Sequence, residues 1–162
     1  MSGPLLADTV TLRAPPARVW ALLFDVDALR RILPGCESLR AAGEKTFDGV
    51  LAAKIGFVTV RAQVTARLLD LEPDGHVRLE LTGRPLGLAG GFVASIPVDL
   101  AATEGGATRV DYSATLQLTG RLAVFGVPLL RDALRRQVAE LVRNLERELT
   151  GPARPAEAAE PA

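Results

Sequence analysis

The chain reads as one α+β domain in which a curved antiparallel sheet wraps a long C-terminal helix. Residues 57–68 alternate strictly between apolar and polar side chains, the pattern of a strand with one wet face. Beyond Gly120 the apolar spacing changes to steps of three or four and holds to Leu149, which is a helical period. The 162 residues lie near the prior of about 150 per domain, so one hydrophobic core is expected.

Taken in order, Val10 and Leu12 alternate with Thr9, Thr11 and Arg13 in a first strand that Pro15-Pro16 ends. Pro16 suits a first helical position, and Val19, Trp20 and Leu23 follow at helical spacing. Asp25 then caps a second short helix with the apolar stripe Val26, Leu29, Ile32, Leu33, stopped by Pro34-Gly35. Residues 39–51 read as two strand pieces turned at Ala42-Gly43-Glu44. The strand over 57–68 turns at Glu72-Pro73-Asp74-Gly75 into Val77, Leu79 and Leu81. Phe92, Ala94, Ile96, Val98 and Leu100 form the next inward face, and Glu104-Gly105-Gly106 leads into Val110, Tyr112, Ala114, Leu116 and Leu118. Pro97 has no N–H for a ladder, so a sheet edge or a bulge is expected there. Pro128 implies that the final helix either starts near Val127 after a short turn or bends at the proline. Residues 1–150 are expected to fold, and 151–162, rich in proline and alanine, to form a disordered tail.

Composition narrows the function. Lysine plus arginine balance aspartate plus glutamate at 19 each, which removes the broad positive field of a nucleic-acid binder. The single Cys36 cannot form an internal disulfide, and no charged-then-apolar leader precedes the first strand, so a cytoplasmic protein is expected. The longest uncharged stretch, from Pro85 to Val98, is broken by proline and glycine, so any membrane contact is expected to be peripheral, at the inner face. One histidine and one cysteine cannot build an ordinary His/Cys metal site.

Strand, two short helices, a run of antiparallel strands and a long helix make a helix-grip layout. A curved sheet and a helix do not pack flush, so a cavity lined by inward side chains is expected. Its lining candidates are Trp20, Phe47, Leu79, Leu81, Phe92 and Ala94, with Tyr112, Ala114, Phe125, Leu129 and Ala133. Aromatics are 4% of the chain, so small aliphatic side chains opposite a long helix leave volume that an apolar guest would fill. Tyr112 brings a polar tip able to donate to a carbonyl such as that of a quinone. The glycine-rich stretch from Gly83 to Gly91, carrying Leu86 and Leu88, reads either as a mobile hairpin at the cavity mouth or as a plain turn.

Several segments carry a family likeness. These are Val19-Trp20 with Leu29, Ile32-Leu33-Pro34-Gly35-Cys36-Glu37, Ile55-Gly56, the glycines Gly83, Gly87 and Gly90, and the passage from Gly120 to Gly126. Together they resemble the CoxG subunit of carbon monoxide dehydrogenase, within the START and Bet v 1-like superfamily. The resemblance spans residues 5–149. It implies a non-catalytic accessory role beside a molybdenum-containing, carbon monoxide dehydrogenase-like hydroxylase, in maturation, membrane recruitment or electron hand-over. No intrinsic cofactor is expected, and a quinone or lipid is the expected guest of the cavity. An adaptor without a ligand, and a cyclase or hydrolase of the kind this superfamily also contains, are the alternatives.

Other reactive side chains read as structural. His76 follows Asp74-Gly75 in a turn and is expected to be solvated. Glu37 beside Cys36 would oppose thiolate formation. Arg109 and Asp111 fall on an outer strand face. Arg131, Arg135, Arg136, Arg143 and Arg147 form a solvated helix face with Asp132, Glu140, Glu146 and Glu148, or else a surface for an acidic partner.

Overall fold

A computed structural model of the chain describes residues 4–150. The tail expected at 151–162 lies outside the described residues. Element order is β1 Leu6–Leu12, α1 Pro16–Leu22, α2 Val26–Ile32, β2 Cys36–Gly43, β3 Thr46–Ile55, β4 Val58–Glu72, β5 His76–Pro85, β6 Gly90–Ala102, β7 Thr108–Gly120, a 3-10 turn Arg121–Phe125 and α3 Val127–Thr150. The chain has the helix-grip fold, and Pro128 resolves as the first of the two expected arrangements, a short turn before a helix that starts at Val127.

The strands form one antiparallel sheet in the order β1-β7-β6-β5-β4-β3-β2. Successive strands therefore pair with their chain neighbours, except that β1 closes against β7. The two edges, β1 and β2, are joined by α1 and α2, which carry the chain across one end of the sheet. Pro15 caps α1 without a side-chain bond, and the Asp25 carboxylate caps α2 by accepting from the Ala28 N–H at 3.0 Å.

The Pro34-Gly35-Cys36-Glu37 segment forms the corner between α2 and β2. Gly35 has φ +71°, and a Cβ there would run into the carbonyl of Ala52 on β3. The absence of that Cβ lets the Gly35 carbonyl accept the Ala52 N–H at 2.8 Å. β2 then carries two register shifts, one between Cys36 and Ser38 and one between Ala41 and Gly43.

Pro97 departs from the edge position expected of it. It lies in β6, an interior strand, paired with Arg78 of β5. The missing N–H shows up on the other side, where the β6–β7 pairing lapses between Ser95 and Val98.

Three clusters hold the molecule together. Leu12, Ala14, Val110 and Leu149 pack at the C-terminal end of α3. Leu39, Phe47, Leu68 and Val77 pack beneath α1 and α2. Ile55, Val60, Leu122, Leu130 and Ala133 pack at the N-terminal end of α3. Polar ties pin the C-terminal half of α3. Glu146 pairs with Arg13 at 2.9 Å, Glu148 with Arg31 at 2.8 Å, Arg18 donates to the Leu149 carbonyl and Asn144 to that of Ile32. The expected charge ladder along the helix reduces to Arg136–Asp132 among the described ion pairs, because Glu146 and Glu148 reach β1 and α2 instead.

Thr108 is fully buried, and its hydroxyl donates to the Ala14 carbonyl at 2.6 Å, joining the start of β7 to the β1–α1 connection. Thr108→Val keeps the shape and removes the donor, and is expected to cost about 1–3 kcal/mol, read from the urea midpoint at unchanged slope.

Candidate ligand cavity and its mouth

α3 runs close to β1, β3 and α2, with no comparable approach to β4, β5, β6 or β7 among the described residues. The sheet brings its flanks closest to the helix, and the central strands still meet α3 towards its two ends, Val60 of β4 in one cluster and Val110 of β7 in another. At 100° per residue, Leu134, Gln137, Val138 and Leu141 lie on the face of α3 turned to the sheet centre, between the residues that reach β1 and those that reach β3. Facing them are the inward positions of the central strands. Leu81 pairs with Ala94, and Ala94 with Leu116. Ala62 and Ala114 are short side chains on the same floor.

Leu81, Ile96, Leu116, Leu134, Val138 and Leu141 are all half-buried, and none belongs to the three packed clusters. A large apolar side chain between two layers of a close-packed core loses its exposure. These six stay partly exposed, so the layer between the central strands and α3 is packed less tightly than the three clusters. It consists of leucine, isoleucine and valine over the alanines of the sheet.

Three polar groups border it. Tyr112 lies opposite Val98 on the inner face, and its hydroxyl has no hydrogen-bond partner among the described residues. Burial raises the phenol pKa, and the Asp8 carboxylate, cross-strand from it on β1, raises it further, so the phenol is a neutral donor at physiological pH. No hydrogen bond joins the two among the described residues, and Asp8 accepts the Thr9 N–H at 2.8 Å. Gln137 is half-buried on the inward face of α3, also without a described hydrogen bond.

The residues expected to line a cavity divide among three places. Trp20, Phe47 and Leu79 pack in the cluster under α1 and α2, with Phe47 buried. Phe92, Phe125, Leu129 and Ala133 belong to the cluster at the N-terminal end of α3. Leu81, Ala94, Tyr112 and Ala114 belong to the loosely packed layer. Leu134, Gln137, Val138 and Leu141 join them, with the exposed Asp8 at the β1 margin, beyond the residues that the sequence singles out. A signal for two of them is present: Gln137 falls one turn before Leu141 in the apolar period, and Asp8 falls two residues before Val10 in the alternation of β1.

Leu86 and Leu88 sit in the turn between β5 and β6, Leu86 exposed and Leu88 half-buried. A shallow groove of ≈ 330 Å³ runs beside them along Gln63, Arg84 and Pro85. A second depression, of ≈ 410 Å³, lies on the outer face where the ladder lapses at Pro97, lined by Thr9, Asp99, Asp111 and Ser113. Its carboxylates are engaged. Asp99 holds His76 Nδ1 at 2.7 Å, and Asp111 accepts from Thr9 at 2.5 Å and from Arg109 at 3.3 Å, which holds its carboxyl below the usual range. His76 is thus paired at the start of β5 rather than free in the turn.

Cys36 is also different in cause from the sequence expectation. Its thiol pKa is raised by burial against the cluster under α2, while Glu37 is turned to Arg61 in a two-pronged pair at 2.6–3.1 Å. Arg61 holds the Glu37 carboxyl below its ordinary value. Among the described residues no group of three His, Cys, Asp or Glu side chains could hold a metal ion, and no helix is long and apolar enough to cross a membrane.

The family model for the CoxG subunit of carbon monoxide dehydrogenase matches residues 9–150. This chain belongs to that family. The match runs from β1 to the end of α3, so it includes both the sheet and the helix that covers it. No curated protein matches the sequence. Among solved structures, a conserved protein from Geobacillus kaustophilus superposes with a TM-score of 0.79 at 22% identity, over 87% of this chain and 91% of that one. A START superfamily protein from Mycobacterium smegmatis gives 0.66 at 9% identity, over 89% and 95%. The ZhuI aromatase/cyclase from Streptomyces sp. R1128 gives 0.65 at 15% identity, over 93% and 96%. At these identities the superpositions establish the shared START and Bet v 1-like fold.

Because burial raises the Cys36 thiol, its thiolate fraction near neutral pH is lower than in the unfolded chain. Iodoacetamide is expected to alkylate the native protein more slowly than the urea-unfolded chain, the gap closing as pH rises past the native pKa, followed by mass spectrometry.

Proposed function

We propose that this CoxG-family protein is a non-catalytic accessory protein of a molybdenum-containing, carbon monoxide dehydrogenase-like hydroxylase, and that it holds a lipophilic molecule between its sheet and α3. The observation that carries the reading is the apolar layer over the central strands, where six large side chains stay only half-buried. Covering apolar surface contributes about 25 cal/mol per Å², so a guest that shields this layer gains affinity without any charged contact. Membership of the family supports the association with the dehydrogenase complex.

A quinone is the favoured guest. Its ring is planar and apolar, and its two carbonyls accept hydrogen bonds. The Tyr112 hydroxyl and the Gln137 amide are the donors at the border of the layer, and both lack described partners. Held there, the quinone would be kept from water while electrons pass from the hydroxylase towards the membrane. The protein then supplies binding and orientation, and the redox chemistry belongs to its partner and its guest.

An acid–base enzyme would need two inward proton-transfer groups within hydrogen-bond reach. Tyr112 and the cross-strand Asp8 come nearest to this, but Asp8 is exposed and no hydrogen bond is described between them. An adaptor that works without a guest would leave the interior unoccupied in solution.

Titration with a short-chain menaquinone analogue is expected to quench Trp20 fluorescence saturably at micromolar concentration. Tyr112→Phe should weaken binding by roughly fivefold to tenfold, the worth of about one hydrogen bond. Ala94→Leu fills the floor opposite Leu81 and Leu116 and should abolish binding while the thermal midpoint holds or rises. An unresponsive protein, with no lipophilic mass in native mass spectrometry, would overturn the carrier reading in favour of the adaptor.

A further inference from the structure

One end of the grip carries most of the exposed apolar side chains. Of the seven large hydrophobic residues described as exposed, five sit there: Phe57 and Val58 at the β3–β4 turn, Leu86 at the β5–β6 turn, Val124 in the 3-10 turn and Val127 at the start of α3. Phe57 is fully exposed and Val124 is 75% exposed, so neither contributes to the core.

These segments form one contiguous rim. Leu86 donates its N–H to the Arg61 carbonyl at 2.7 Å, which ties the β5–β6 turn to β4. Arg121 donates its N–H to the Ala89 carbonyl at 2.9 Å, which ties the 3-10 turn to the β5–β6 turn. Gly56 abuts Leu129 of α3, so the Phe57 turn lies against the helix start. Beneath the rim, Ile55, Val60, Leu122 and Leu130 form a packed base.

Charge is segregated at the same place. Residues 49–66, 81–98 and 112–131, which build this end, contain Lys54, Arg61, Arg84, Arg121 and Arg131 and no aspartate or glutamate. Two carboxylates border this end and both are paired, Glu37 to Arg61 and Asp132 to Arg136. Lys54, Arg84 and Arg121 are exposed, and no side-chain ion pair is described for them. A partner protein patch of ordinary composition would not require apolar tips to project beyond a ring of cations. A bilayer with anionic headgroups does, since apolar side chains enter the acyl boundary while cations stay at the phosphate level.

We propose that this rim docks on an anionic lipid bilayer, with Phe57, Val124 and Leu86 entering the interface and Lys54, Arg84 and Arg121 contacting headgroup phosphates. This rests on the carrier reading and deepens it, because the docked rim is the end through which a lipophilic guest would leave the bilayer for the space under α3. The affinity is modest and salt-sensitive, as it comes from a few side chains and a screened field.

The test is flotation of the full chain with vesicles of phosphatidylcholine, with and without about 30% phosphatidylglycerol. Binding is expected to the anionic vesicles, weakening in high salt. Phe57→Glu, at a position that touches no core, should lower it by about tenfold or more, given the ~1.5–3 kcal/mol that burial of such a side chain contributes. Arg84→Glu with Arg121→Glu should lower it similarly, and Arg143→Glu on the outer face of α3 should not. No flotation of the wild type, or equal flotation of Phe57→Glu, would overturn the proposal. So would loss of dehydrogenase pull-down by Phe57→Glu without any vesicle binding, which assigns the rim to the protein partner. Menaquinone titration of the same variants separates the two readings: quenching that persists in Phe57→Glu leaves the cavity standing when docking fails, and flotation without quenching leaves docking standing when the cavity fails.

Discussion

Seven antiparallel strands that twist in one sense cannot lie flush beneath a straight helix, and most of this molecule follows from that mismatch. The flanks of the sheet come closest to α3 through β1 and β3, while the central strands meet it mainly towards its two ends. The core therefore divides into three packed clusters around a central layer whose large side chains stay half-buried. A bulky aromatic at Ala94 or Ala114 would fill that layer. The sequence places alanine there and puts its few rings at the periphery, where Phe47, Phe92 and Phe125 brace the clusters. α3 is pinned through Glu146, Glu148 and Asn144 on its C-terminal half, and on its N-terminal half Arg131 and Arg136 donate to the Leu5 and Lys54 carbonyls.

The segment from Pro34 to Glu37 is chemically suggestive in sequence and structural in the fold. Gly35 lets β3 approach, Cys36 is packed under α2, and Glu37 spans to Arg61, whose carbonyl in turn receives the Leu86 N–H. This run joins the α2–β2 corner to the β5–β6 turn at the mouth. Its importance lies in position rather than reactivity, and burial of the thiol agrees with that.

Most of the architecture is legible in the sequence because its signals are local. Alternation in 57–68 marks a strand that extends to Glu72, Asp25 marks a cap, and Pro128 marks a helix start. Register across the sheet is harder, since Pro97 alone cannot show that β6 is interior and that only one of its two ladders lapses. The site is legible in part. Leu81, Ala94, Tyr112 and Ala114 follow from alternation, whereas Trp20 and Phe47 attract notice by size although α1 and α2 fold over them. Gln137 and Asp8 escape notice because a polar residue on an inward face breaks the apolar pattern that finds the face. The pairing of Glu146 with Arg13 and of Glu148 with Arg31 joins residues more than a hundred positions apart, which no helical spacing rule reaches.

The free edge at β2 carries a final consequence. An open sheet invites another strand to add along its unpaired backbone groups, in oligomers and in aggregates alike. Here the two register shifts bend that edge, and the Arg30 guanidinium takes the Leu39 carbonyl at 2.9 Å, so the main chain offers no regular ladder to copy. Strand addition by a companion chain is therefore disfavoured at β2, and of the two edges only β1, which pairs with β7 without a register shift, keeps a regular ladder.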